Sequence, residues 1–236
     1  MKTIEGEGDP MKKMTAAITA GLAAVTLGVV LVGCGSSTDT ETSTSSSTST
    51  SAAALIDRPE TAGPNKTIND YIVENNIAET PFKPDDPGTP NFDFPFPPGW
   101  SNAGPRTPDW AYAAIVYDNP QDPNDPPGII AIASKLTGNV DPAKILEYAP
   151  GDLENLTDFE PLNGPTKTTL GGFDAIQSSG TYMRDGEKRF VAQRTVVVPT
   201  EDGLYALQMS ADTLDGQEGV VIEAADLIEE QTKITP

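Results

Sequence analysis

The sequence predicts an α+β domain, an antiparallel sheet flanked by helices, set behind a signal peptide and a disordered tether. Three observations carry that expectation. Between Phe173 and Ser210, apolar-rich runs are joined at Asp185-Gly186 and Asp202-Gly203, dipeptides that suit tight turns between antiparallel strands. After Asp215, apolar residues recur at helical spacing, as in a helix laid on a sheet. Ahead of both stands an apolar run and then a Ser/Thr tract, neither of which suits a globular core.

Residues 1–33 read as a secretory signal. Met11-Lys12-Lys13 is a positive n-region, and Ala16 to Val32 is an almost uncharged run of Ala, Val, Leu and Gly. Met11 suits the start better than Met1, because Glu5, Glu7 and Asp9 do not belong in an n-region. The run ends in Leu31-Val32-Gly33-Cys34 and not in a basic stop-transfer cluster, which matches a bacterial lipobox. Small Gly33 lets a peptidase approach the backbone, and the Cys34 thiol takes the lipid. Cys34 is the single cysteine, so its acylation leaves no thiol for disulfides, metal binding or nucleophilic catalysis. Two or three acyl chains, at about 0.8 kcal/mol per buried methylene, anchor a protein where one chain would not. The expected partner of Cys34 is therefore a membrane, and the expected location is its outer face.

Residues 34–63 follow as tether. Up to about Ala54 they offer Ser, Thr and a few acids with nothing apolar larger than alanine, too little to repay the entropy of ordering. A flexible chain of this length spans roughly 30 Å. The remainder, 64–236, is long enough for one domain with its own core.

Within it, Thr67 with Asp70, followed by Ile68, Tyr71 and Ile72, predicts a capped short helix ending near Asn75-Asn76. Phe92-Asp93-Phe94-Pro95-Phe96 alternates with period two, which points the three phenylalanines one way from a proline-bearing edge strand. Strands are expected over Trp110 to Tyr117, with Tyr112, Ala114 and Val116 on one face, and over Ile129 to Ser134. The Asp/Asn/Pro loop between them lacks the glycine and closing glutamate of a calcium loop and suits an exposed turn. Asp141-Pro142 starts a helix that Gly151 interrupts. Phe173 to Met183, Arg189 to Val198 and Leu204 to Ser210 form the meander, with Tyr205, Leu207 and Met209 on one face. In the last helix Asp215 and Glu218 form a capping-box-like start, Val220, Ala224, Leu227, Ile228 and Gln231 face inward, and Glu223, Asp226, Glu229 and Glu230 lie outward.

The chemistry is sparse. The net charge is −20 and there is no histidine. Such a charge repels nucleic acid and anionic lipid surfaces. Without histidine, the usual neutral-pH base and a common metal ligand are missing. No serine elbow, phosphate loop or metal-spaced Cys/His set is present, so no catalytic residue, metal or cofactor is assigned. Paired carboxylates of a glycoside hydrolase are the weakest of the remaining readings. Aromatic residues beside turns, namely Phe94, Phe96, Trp100, Trp110 and Tyr112, are the candidate ligand-binding residues, since aromatic faces suit sugar rings and apolar tails.

Lipobox, tether, Gly63-Pro64-Asn65-Lys66-Thr67-Ile68-Asn69-Asp70-Tyr71, Pro97-Pro98-Gly99-Trp100, Thr107-Pro108-Asp109-Trp110-Ala111-Tyr112, Leu170-Gly171-Gly172-Phe173 and the acidic terminal helix together resemble the LpqN/LpqT lipoproteins of mycobacteria and their relatives. The resemblance implies a PsbP-like α-β-α sandwich, helices on both sides of the sheet. It also implies a non-catalytic cell-envelope lipoprotein linked to trehalose-type glycolipids, or to envelope and host proteins. Cys34 is the residue it carries over. A groove beside the sheet that takes an amphipathic glycolipid is the leading expectation. The alternative is a docking module that meets only proteins.

Overall fold

The computed structural model describes residues 63–236. The signal segment, the lipobox Leu31, Val32, Gly33 and Cys34, and the tether lie outside the described residues.

Among the described residues, ten strands and four α-helices follow in order: α1 Ile68–Glu74, β1 Ala78–Pro81, β2 Asn91–Asp93, β3 Trp100–Asn102, β4 Ala113–Tyr117, β5 Gly128–Thr137, α2 Pro142–Tyr148, α3 Gly151–Glu154, β6 Glu160–Leu170, β7 Phe173–Arg184, β8 Glu187–Thr200, β9 Gly203–Leu214, α4 Glu218–Gln231 and β10 Lys233–Thr235. The main sheet is antiparallel and runs β3-β4-β5-β9-β8-β7-β6. On the outer side of β5, β4 pairs with Gly128–Ala131 and β1 with Ser134–Thr137, so the two share one edge. A ribbon of β2 and β10 lies apart.

Strand pleating sends alternate side chains to opposite faces, and both faces are covered. Toward α4 the core gathers Tyr205, Leu207 and Met209 of β9, Val196 and Val198 of β8, Val221, Ala224 and Ile228 of α4, and Phe92 of the ribbon. Toward α1 and α2 it gathers Leu136, Val197 and Leu204 with Tyr71, Ile72 and Ile145. Leu153 of α3 packs on Tyr182 and Val191. The fold is thus an α+β sandwich with its sheet in the middle layer.

Several expectations are corrected. The sequence pattern predicts no strand at β6: apart from its end it is exposed on both faces, so no alternation marks it, and Pro161 and Pro165 with two register shifts disguise it further. β2 stops at Asp93, so the three phenylalanines do not share a face. Phe92 is buried, Phe94 half-buried and Phe96 62% exposed. Tyr112 precedes β4; its amide donates to Ala131 O, and its ring joins the cluster of Ala113, Ile115 and Tyr117 instead of following Ala114 and Val116. Gly151 does not merely interrupt a helix. It begins α3, where an added Cβ would fall 2.2 Å from Lys66 O. α4 starts at Glu218 with Gln217 as N-cap and no side-chain cap bond; Asp215 belongs to the turn before it. Val221, and not Val220, is fully buried, Gln231 is exposed, and Glu229 reaches inward to Arg194 and Thr168.

Candidate functional site

A cavity of about 910 Å³ opens between the sheet and the layer formed by α1 and α3. Its walls are fixed by local chemistry. Thr67 caps α1 by accepting from Asp70 N–H (3.1 Å) while its own N–H donates to the Asp70 carboxylate (2.9 Å), a reciprocal capping box. That exchange lowers the Asp70 carboxyl from its ordinary value, through the Thr67 backbone bond and then the Thr67 hydroxyl. On α3, Asn155 takes the Asn65 N–H (3.0 Å) and returns its amide to Asn65 O (2.8 Å), which binds the segment before α1 to the end of α3.

The floor is the unusual part. Register alignment places Gln193 of β8 beside Ser210 of β9, and Thr195 beside Gln208; Ile130 and Ile132 of β5 continue the two rows. All six line the cavity, together with Ser134. The central strands of a sheet covered on both faces ordinarily carry apolar side chains, because an unpaired buried polar group costs free energy. Here Gln193, Thr195 and Ser134 are buried, and the hydroxyls of Thr195 and Ser134 have no hydrogen-bond partner among the described residues. Gln208 donates to Asp152 of α3 at 3.3 Å, joining floor to wall. Trp110 lines the cavity beside Ile130.

One end of the floor is closed by charge. Arg189 and Asp212, each 2% exposed at the side chain, are paired, and Arg189 also grips Asp125 from the β4–β5 loop. Tyr182 donates its hydroxyl to Asp212 (2.5 Å), while Arg184 approaches at 3.4 Å. Burial, and then the Asp212 carboxylate, push the Tyr182 phenol far up. Burial works against the Arg189 charge, but its bonds to Asp125 and Asp212 outweigh it and raise its pKa further. These groups satisfy one another, so this end acts as a rigid stop. Asp125 is thereby engaged in an ion pair.

The aromatic candidates are dispersed. Trp110 is at the cavity. Trp100 and Tyr112 are buried in the core on the α4 face, where Trp100 meets Tyr117 at 5.7 Å and Tyr112 meets Phe82 and Phe92 edge-on. Phe94 stacks on Phe92, and Phe96 stands exposed. None of these four lines the cavity.

Comparison with known proteins agrees with this architecture. Residues 64–235 match the family described as probable lipoprotein LpqN. The chain belongs to the LpqN lipoprotein family. Lipoprotein LpqN of Mycobacterium tuberculosis (strain ATCC 25618 / H37Rv) is 49% identical over 177 residues, covering 75% of this chain and 77% of the relative. A crystal structure of LpqN, described as involved in cell envelope biogenesis of Mycobacterium tuberculosis, superposes with a TM-score of 0.70 at 49% identity, covering 74% of this chain and all of that one. Neither LpqN relative carries an enzyme's name.

In this LpqN-family chain the floor residues Gln193, Thr195, Gln208 and Ser210 escaped sequence reasoning. Their signal was present: in the runs Arg189 to Val198 and Leu204 to Ser210, every second residue except Arg194 is apolar, and the intervening set contains those four polar residues. Alternation in a sheet with one wet face would look the same. Only with helices over both faces does a polar set become a buried one.

Proposed function

We propose that the protein is an exported, non-catalytic lipoprotein of the cell envelope, held on the outer face of the membrane by an acylated Cys34. In this reading the cavity under α1 and α3 takes the sugar head of an amphipathic glycolipid of the trehalose type. The observation that carries it is the polar floor: Gln193, Thr195, Gln208, Ser210 and Ser134 line a concave space where a sheet covered on both faces would ordinarily carry apolar side chains. Its volume lies within the roughly 300–1,000 Å³ typical of small-molecule sites. Sugar hydroxyls both donate and accept, so they suit the side chains of Gln193, Gln208 and Ser210 that line the floor. Trp110 adds the flat apolar face that sugar rings favour. The LpqN relative's description as a cell envelope biogenesis protein supports the envelope setting.

Binding and not hydrolysis fits the charged end, where Asp212 is spent on Arg189 and Tyr182. The expected outcome of calorimetry on residues 60–236 with a medium-chain trehalose monoester is saturable binding. Substituting Gln193→Leu, which removes a polar side chain from the floor, should weaken binding about three- to tenfold. Absence of saturable binding would retire the ligand and leave a docking module for envelope proteins.

A further inference from the structure

Lys83 follows β1 and reaches across to the turn that carries Trp110. Its ammonium donates to Asp109 O and to Ala111 O, each at 2.5 Å, the two carbonyls that bracket Trp110. The turn itself closes with Ala111 N–H on Pro108 O at 3.0 Å. Beneath it Ala111 is 1% exposed, while Trp110 leans on the cluster of Ala103, Ala114 and Ile130 and lines the cavity. Pro108 to Ala111 is otherwise a short surface turn, and a lone turn of this kind is a weak support for a large ring. A cation donating to both flanking carbonyls supplies what the turn lacks. Lys83 is held from its own side as well, since its N–H donates to the Asp86 carboxylate at 2.7 Å.

From this geometry we infer that Lys83 is a positioning residue for the cavity: it fixes the backbone on either side of Trp110 and so sets the ring where a sugar face would stack. The inference rests on the glycolipid reading for its functional half, whereas the structural half stands independently. A side chain that acts through another must lose its effect when that other is removed. Lys83 is chemically suited to the task, because three donors on a flexible stem can serve two carbonyls at once.

The test uses residues 60–236; the LpqN crystal structure is matched over its whole length by 74% of this chain, so the corresponding unit stands alone in that relative. Protein labelled with 5-fluorotryptophan gives two ¹⁹F resonances, for Trp100 and Trp110, assigned with Trp110→Phe. Lys83→Gln should move or broaden the Trp110 resonance and leave that of Trp100 in place; Lys83→Arg should largely restore it. With the medium-chain trehalose monoester as probe, Lys83→Gln should weaken binding about three- to tenfold in the parent and have no further effect in Trp110→Phe. An unmoved Trp110 resonance, or an equal loss of affinity in both backgrounds, overturns the inference. If the parent does not bind the probe, the glycolipid reading fails by itself, and the resonance still decides whether Lys83 holds Trp110.

Discussion

Arg189 shows how one residue can organise a region. It is nearly inaccessible, paired with an equally buried Asp212, and tied through Asp125 to the β4–β5 loop. Replacing it by Met leaves the Asp212 charge buried without its main partner, which costs about 3–5 kcal/mol. Urea unfolding of Arg189→Met should report a loss of that size, and Arg189→Met combined with Asp212→Leu should recover part of it. Tyr182 makes a second prediction through pH. Its folded phenol stays protonated well past the ordinary value of about 10, whereas the unfolded phenol ionises there, so the unfolded state is favoured as pH rises above 10. Stability in the Tyr182→Phe variant should fall less steeply over that range. At the opposite limit, bonds from Lys135 and then Thr200 hold Asp202 down to about 2. Its contribution is fully present above the ordinary carboxylate range and is lost as pH falls toward 2; Asp202→Asn should flatten the acid limb of the stability curve there. None of these partners was legible in the sequence, where Arg189 and Asp212 are separated by a whole hairpin.

Elements with a local cause were readable. Thr67 and Asp70 announce α1 because a capping box needs only residues three apart, and Thr67→Ala should lower stability by about 1 kcal/mol in a thermal melt. Asp141-Pro142 likewise marks α2, and the Asp-Gly pairs mark the hairpins β7–β8 and β8–β9, where Asp185 and Gly186 both adopt positive φ. Elements whose cause lies elsewhere in the chain were not. β6 exists because β7 offers it an edge, and β10 because β2 does. Gly151 looked like an interruption, yet its hydrogen is required by Lys66 O pressed against it. Gly151→Ala should therefore separate α3 from the segment before α1, costing about 1–3 kcal/mol in stability. The same substitution should weaken binding at the cavity, because α1 and α3 form its walls.

At the scale of the whole molecule, the sheet has two unlike faces. The α4 face closes over aromatic and aliphatic side chains, and four of the five aromatic candidates, Phe94, Phe96, Trp100 and Tyr112, lie away from the cavity. The other face carries polar residues at its centre and holds the cavity open. Sequence reading located the sheet and the terminal helix, and the resemblance supplied helices on both sides. It could not locate the site, because a polar set on a strand is ordinarily the solvent face. The measurement that bears most directly on the site is backbone and side-chain amide NMR of residues 60–236 titrated with a medium-chain trehalose monoester. Saturating shifts should concentrate on the side-chain amides of Gln193 and Gln208, the backbone of Thr195 and Ser210, and the Trp110 indole. Shifts confined to the Phe94–Phe96 surface, or none at saturating probe, would contradict the account.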